Sequence, residues 1–377
     1  MSSTERDGRD GRDGRDAEDV VVDGTVATDA TGTDDGPPTG DAAEAAPESS
    51  DRPGTSGLAT RRSRRAGDRI FESLTTGSAV LITVFIAAIA IFLIVQAVPA
   101  LAKERDGIGA FFTYSGAWNL NYTSNDGGWM EFGIPNLFFT TVLVSALALA
   151  IAMPVALGIA IFLSNYCPKR LVRPLGFMVD LLAAVPSIVF GIWGMQVLGP
   201  SLGGIFEWIH GWAGGFFLFQ WDQQTSPAFS TSRNVFTGGV VLAIMILPII
   251  AATTREVFIQ TPRGHIEAAL ALGATRWEVV RLTVLPFGRS GYVSGAMLGL
   301  GRALGETMAL YMVIASAPGF RWSLFDGGTT FATAIANAAP EFNDDTKAGA
   351  YIAAGLVLFA LTFIVNAAAR TVVNNRK

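Results

Sequence analysis

The chain has 377 residues, half of them hydrophobic, with a mean hydropathy of +0.40 and a formal charge of −5. Few charges interrupt the apolar runs after position 77, which sets most of the chain apart from a soluble domain and predicts a polytopic membrane protein. The net charge conceals a division: the first sixty residues hold 15 Asp+Glu and 5 Arg, leaving 22 Lys+Arg against 17 acids for a mildly basic body.

Residues 1 to 66 contain almost no aromatic or bulky aliphatic side chains, and a Gly-Arg-Asp triplet repeats from Gly8 to Asp16. Such a segment buries too little apolar surface to offset its ordering entropy, so a solvated, disordered acidic tail is expected. The triplets lack the proline of collagen, and the N-terminus lacks the basic-then-apolar order of a signal peptide.

Six apolar stretches follow, each near the roughly 20 residues that a bilayer-crossing helix needs. They run over Ser78–Leu101, Leu137–Leu163, Leu175–Leu198, Phe236–Thr254, Ser290–Ile314 and Ala348–Ala369, with Pro154, Pro186 and Pro248 as kink positions. The predicted class is therefore all-α: a membrane domain of six transmembrane helices over residues 67–377. Basic residues cluster at Arg61, Arg62, Arg64, Arg65 and Arg69, at Lys169, Arg170 and Arg173, at Arg255, Arg263, Arg276, Arg281 and Arg289, and at Arg370, Arg376 and Lys377. All four clusters fall on one side of a six-helix path, which predicts that both termini are cytoplasmic in a multi-pass plasma-membrane protein. The opposite loops, about 102–136, 199–235 and 315–347, carry Trp118, Trp129, Trp208, Trp212, Trp221 and Trp322. Those indoles read either as anchors at the lipid headgroups or as part of a docking face.

Cys167 is the only cysteine, so an intramolecular disulfide is impossible, and His210 and His265 have no partner at metal-ligand spacing. No metal site, cofactor or nucleic-acid partner is expected.

Three stretches carry the chemistry. Asp180 to Gly194 contains Pro186 and Gly191, which make the start of the third span irregular. It reads either as ordinary packing, with Ser187 bonded to its own backbone, or as a gate at Pro186 and Ser187. Next, Thr261-Pro262-Arg263-Gly264 breaks the chain before a helix from His265 to Leu272, which is stopped near Gly273. A second helix is predicted from Thr275 to Leu285, ended by Pro286. Glu267, Arg276, Glu278 and Arg281 give it a mixed-charge surface, better suited to a protein groove than to anionic lipid.

The third stretch, Gly299-Leu-Gly301-Arg302-Ala-Leu-Gly305-Glu306-Thr307, falls near the middle of the fifth span. Ionisable residues at bilayer depth cost about 2.5–3.5 kcal/mol each and need a partner or a watery path. Spacing of i,i+4 predicts that Arg302 and Glu306 share a helix face, where they either pair structurally or line the route of an anionic solute. Gly299, Gly301 and Gly305 leave room for close approach. The spacing G-x-G-x-x-x-G, with no preceding strand, argues against a dinucleotide loop. Arg offers two donors to a tetrahedral oxyanion, and a carboxylate accepts a hydrogen bond from a protonated phosphate oxygen while repelling sulfate, so the pair suits phosphate.

The run Glu267-Ala268-Ala269-x-x-x-Gly273, followed by Thr283-x-Leu285-Pro286, resembles the EAA loop of ABC-importer permeases, with Thr283 where that pattern has a branched aliphatic residue. Together with Leu181–Gly194, Leu247–Phe258 and Gly-Arg-Ala-Leu-Gly-Glu-Thr, the chain from about position 70 onward is similar to PstC-type permeases of the phosphate ABC importer. The long acidic tail departs from the short N-terminus usual there. The resemblance implies a heterodimer with a paralogous permease, two ATP-binding subunits and an extracytoplasmic phosphate-binding protein. It also implies docking of the ATPase at Glu267, Ala268, Ala269 and Gly273, and a part in translocation for Arg302 and Glu306. Sulfate or molybdate permeases and the paralogous partner permease are the neighbouring readings. A passive channel would need no docking helix, and an intramembrane enzyme would need a catalytic set absent here. The chain also lacks a G-x-x-x-x-G-K-[ST] loop, so ATP hydrolysis is expected on a partner rather than on this subunit.

Overall fold

The computed structural model describes residues 66–120, 129–220, 232–317, 322–342 and 344–374, apart from the side chains at 66, 68, 69, 341 and 372–374. The acidic tail, Trp221, and the basic residues Arg61, Arg62, Arg64, Arg65, Arg376 and Lys377 lie outside the described residues, as does the Arg69 side chain. The chain divides into Met1–Arg65 and a unit Ala66–Lys377, and the fold is that of the second unit.

Its elements are helical, and among the described residues the only β pairing is two isolated bridges, Glu104 with Met130 and Asn119 with Glu131. Helix α1 spans Ala66–Leu101, α2 Ile108–Thr113, and α3 Pro135–Ile161 with a π turn at Phe162–Tyr166. Helices α4 (Lys169–Ala184) and α5 (Ser187–Trp193) follow, then a π turn at Gly194–Leu198 leading into α6 (Gly199–Ala213). Next come α7 (Val235–Ile259), α8 (Arg263–Ala271), α9 (Arg276–Val279) and a π turn at Val280–Val284. The fold closes with α10 (Leu285–Leu304), α11 (Met308–Val313), α12 (Phe331–Ala338) and α13 (Asp345–Asn374).

The centre is α7, clasped between α3 and α10. Within lipid the hydrophobic effect cannot drive helices together, so small residues that permit close van der Waals packing must do so. Val144, Ala148, Ala152, Ala156 and Ala160 recur every four residues along α3, and all are fully buried. The first four pack in one cluster with Leu242, Ala243, Ile246 and Ile250 of α7. The close approach of α10 to α7 depends on glycine. A Cβ at Gly291 would collide with Val257, and one at Gly299 would lie 2.9 Å from Ile250 Cγ1. Helix α1 packs against α13, burying Ala97 and Ala100 near its end. Most of its large apolar side chains from Ile70 to Val98 remain exposed, as suits a lipid-facing helix.

Among the described residues, five uninterrupted helical stretches are long and apolar enough to cross a membrane: Ile70–Leu101, Pro135–Tyr166, Ser187–Ala213, Val235–Ile259 and Asp345–Thr371. Four of them contain the predicted first, second, fourth and sixth spans. The third is displaced from Leu175–Leu198. Its predicted first half belongs to amphipathic α4, and the chain turns extended at Val185 (ψ 130) and Pro186 (ψ 137) before α5 begins. Proline cannot donate to the preceding turn and disfavours helix at the residue before it, so the apolar span starts after Pro186. As a result Trp208 and Trp212 lie on α6 rather than in a loop, and Trp212 is 84% exposed. The predicted fifth span is divided, α10 ending at Leu304 and α11 starting at Met308. Pro286 breaks nothing. It occupies the first turn of α10 directly after the Val280–Val284 π turn, where a missing N–H is tolerated.

Candidate functional site

The interruption between α10 and α11 falls on the glycine-arginine-glutamate stretch. Gly305 takes the C-cap of α10 with ψ near zero, and Thr307 donates its hydroxyl to the Gly305 carbonyl at 3.2 Å. The helix therefore stops between Arg302 and Glu306, and the shared i,i+4 face expected of them does not form. No ion pair joins the two side chains. Glu306 instead folds over the start of α11, where a carboxylate oxygen accepts from the Ala309 N–H at 3.3 Å. Only 8% of it is exposed. Carboxylates are favoured there because the first N–H groups of a helix have no intrahelical acceptor. Arg302, half-buried, sits in the last turn of α10, where the helix dipole favours a cation. The two charges thus flank the break from opposite sides.

The glycines separate into two roles. Gly299 is used against α7, as described above. Gly301 has nothing within 4 Å of where a Cβ would lie, and Gly305 only the Gly301 carbonyl at 3.8 Å. The break therefore opens onto space rather than onto a packed neighbour.

The Pro186 bend meets the same place from the other side. Helix α5 packs against α11, and a Cβ at Gly191 would stand 2.9 Å from the Ala309 α-carbon. One α-turn further, a Cβ on Gly194 would lie 2.5 Å from Val241 Cγ2 and 2.9 Å from Val313 Cγ2. Ser187 opens α5, and its predicted side-chain bond to its own backbone is not formed. The helix that begins at the gate candidates Pro186 and Ser187 therefore packs, through Gly191, on the helix that Glu306 caps.

The EAA-like segment lies at the other end of α10, away from this break. Helix α8 ends in a Schellman stop: the Gly273 N–H donates to the Leu270 carbonyl at 2.9 Å, and the Ala274 N–H to the Ala269 carbonyl at 3.2 Å. Gly273 has φ +83, a conformation that side chains with a Cβ disfavour. Two residues later Thr275 starts α9 with a capping box. Its N–H donates to Glu278 Oε2 at 2.7 Å while the Glu278 N–H donates to its hydroxyl. The Thr275 N–H, and then its hydroxyl, both donating to Glu278 Oε2, hold that carboxyl below its ordinary range. Glu267 and Ala268 are exposed, Ala269 half-buried, and apolar Leu270, Leu272 and Trp277 project beside them, Leu272 at 89% exposure. The result is a rigid elbow with an apolar, mixed-charge surface.

Two arginines had no distinct role in the sequence reading. The Arg255 guanidinium on α7 lies against Gly176 of α4, with its Nε buried and unpartnered. Arg233, just before α7, reaches α11: its Nε donates to the Met312 carbonyl at 3.1 Å and its Nη2 to the Tyr311 carbonyl at 3.4 Å. No local pattern in the sequence marks either, because both contacts are between distant segments.

Residues 152–376 match the model of the family described as binding-protein-dependent transport system inner membrane component. The phosphate transport system permease protein PstC 2 of Mycobacterium tuberculosis is 51% identical over 317 residues, covering 84% of this chain and 94% of that protein. PstC of Mesorhizobium japonicum is 40% identical over 317 residues, covering 83% and 91% respectively. Among solved structures, a bacterial ABC transporter involved in the import of the acidic polysaccharide alginate aligns with a TM-score of 0.50 at 16% identity. That alignment covers 81% of this chain and 97% of the other, a likeness of fold.

Proposed function

The chain belongs to the binding-protein-dependent transport inner membrane components and, within them, to the PstC phosphate permeases, and on that premise we propose how it carries phosphate. It is a multi-pass membrane subunit of an importer and forms one half of the translocation path. It pairs with a paralogous permease, two ATP-binding subunits and an extracytoplasmic phosphate-binding protein. Both termini face the cytoplasm. The chain hydrolyses nothing itself.

The observation that carries the reading is the break at Gly305, with Arg302 before it, buried Glu306 after it and open space beside Gly301 and Gly305. An arginine at the end of α10 offers paired donors to a tetrahedral oxyanion. The Glu306 carboxylate accepts a hydrogen bond from the P–O–H group of hydrogenphosphate or dihydrogenphosphate and repels an anion that has none. Helix α8, with Glu267, Ala268, Ala269 and Gly273, is the docking elbow for the ATPase. From α9 the chain runs helically through the π turn into α10, so a displacement of the elbow is delivered along α10 to the break. Pro186 and Ser187 lie where α5 can hinge against α11, which supports their role as a gate.

Proteoliposomes containing this chain, the partner permease, the ATPase and the binding protein test the proposal. ATP-dependent uptake of labelled phosphate should fall by about tenfold or more in Arg302→Gln while the complex still assembles. Undiminished uptake would make Arg302 structural. Uptake of sulfate in place of phosphate would move the substrate to the neighbouring oxyanion.

A further inference from the structure

Arg233 is fixed in place by its backbone neighbours. Its carbonyl accepts from the Ala315 N–H at 2.9 Å, and the next residue, fully buried Asn234, caps α7 by accepting from the Thr237 N–H at 2.8 Å. The guanidinium has five N–H donors, and its two bonds to the end of α11 occupy two of them. Three remain.

Arg233 also lines a cavity of about 390 Å³ with Tyr311, Ser316, Thr329, Thr333 and Asn337. Ser316, Thr329 and Asn337 form the seam with a second cavity of about 180 Å³. The Ser316 and Thr329 hydroxyls are 3.2 Å apart, and the Tyr311 hydroxyl donates to Asn337 Oδ1 at 3.2 Å. In the larger cavity four hydroxyls, the Asn337 amide and one guanidinium make up the polar lining, and among the described residues neither cavity has an aspartate, glutamate or lysine in its wall.

We propose that this cavity is an outer oxyanion site, where inorganic phosphate is held by Arg233 and the surrounding hydroxyls before it reaches the break at Gly305. The proposal rests on the transport reading above and adds a station to it. Capping of α11 explains two of the Arg233 bonds but leaves unexplained why four hydroxyls and an amide share the cavity wall with the guanidinium, beside apolar Met195, Leu310 and Ile314. Arginine with neutral donors is a general acceptor of tetrahedral oxyanions. With no carboxylate among the described wall residues, none of them repels a fully ionised anion, so the outer site takes phosphate and sulfate alike. Discrimination by protonation is left to Glu306. The six residues of α11, about 9 Å of helix, separate the two stations, with Glu306 at one end and Arg233 at the other.

Because Cys167 is the only cysteine, Cys167→Ser with Ser316→Cys places a single thiol of this chain in the cavity wall. The assembled permease–ATPase complex, without binding protein, is labelled with a maleimide in phosphate, sulfate or chloride at equal ionic strength, and this chain is read by mass. Phosphate and sulfate should each slow labelling by about tenfold when present at ten times the dissociation constant, and chloride should not. Arg233→Gln should abolish the protection, and Arg233→Lys should keep part of it. Full protection in Arg233→Gln, or none with Arg233 intact, overturns the outer site. If Arg233→Gln fails to assemble, Thr329→Cys, beside Ser316 in the same seam, gives a second report with Arg233 intact, and absence of phosphate protection there overturns the site as well. ATP-dependent phosphate uptake by the wild-type complex, run in parallel, separates the two proposals. Uptake without protection removes only the outer site, and protection without uptake removes only the transport reading.

Discussion

Glu306 combines two tasks that substitution can separate. Its carboxylate caps α11, and its charge stands beside the open break. Gln keeps an oxygen for the Ala309 N–H and removes the charge, whereas Ala removes both. Glu306→Gln should therefore melt close to wild type but lose about tenfold in ATP-dependent phosphate uptake, while Glu306→Ala should also lose about 1 kcal/mol of stability. Normal uptake in the Gln variant would reduce Glu306 to a cap. A second buried carboxylate, Glu104, sits in the loop after α1, where it accepts from the Phe132 N–H at 3.3 Å. Burial, with Asp106 and Glu131 nearby, pushes its pKa from 4.5 to about 7 against the opposing Phe132 bond. Arg105 is committed to Glu131 at 2.6 Å. The folded state thus binds the Glu104 proton more tightly than the unfolded chain does. Its contribution is full below pH 4.5 and is lost as pH rises through about 7. Melting curves at about pH 5 and about pH 7.5 should show this corner more stable in acid, and Glu104→Gln should narrow the difference. An equal difference in both proteins would assign the pH dependence to other groups.

Between elements, the glycines of α10 divide into a packing set and an open set, and the same substitution should affect them oppositely. Gly291→Ala forces a methyl into Val257 of α7 and should cost about 1–3 kcal/mol, read as lower melting temperature and poorer assembly. Gly301→Ala meets nothing within 4 Å and should leave stability unchanged while narrowing the space beside the break, so any loss appears in uptake alone. The reverse pattern would place the path on the other face of α10. The sequence made the glycines visible but not their directions, since Gly299 and Gly301 are two residues apart and face different surroundings. Long apolar runs were readable because their length is set by the bilayer, and four of the six predicted spans fall inside helices. The misplaced third span follows from counting α4 residues as membrane-spanning when Pro186 ends that helix first. The EAA elbow was legible almost residue by residue because Gly273, Thr275 and Glu278 act through local bonds. Arg233 was not, because its partners lie 78 and 79 residues away.

Across the whole molecule, the acidic N-terminal segment and the membrane unit have opposite compositions, which bears on whether transport needs both. The break, the elbow and the Arg233 cavity are all built within Ala66–Lys377, and each is held by contacts among residues of that unit. The first sixty residues bring 15 acids and almost no aromatic or bulky aliphatic side chain, a composition with little large apolar surface to bury. Charges in water are screened within about 8 Å at physiological ionic strength. Removal of residues 1–65 should accordingly leave phosphate uptake within about twofold of wild type in proteoliposomes, with assembly unaltered. The comparison should be made at low and at physiological salt. A loss of uptake confined to low salt would show the tail acting by long-range charge on the basic cytoplasmic loops, and a loss of tenfold at both salts would mean that the tail makes specific contacts in the working complex.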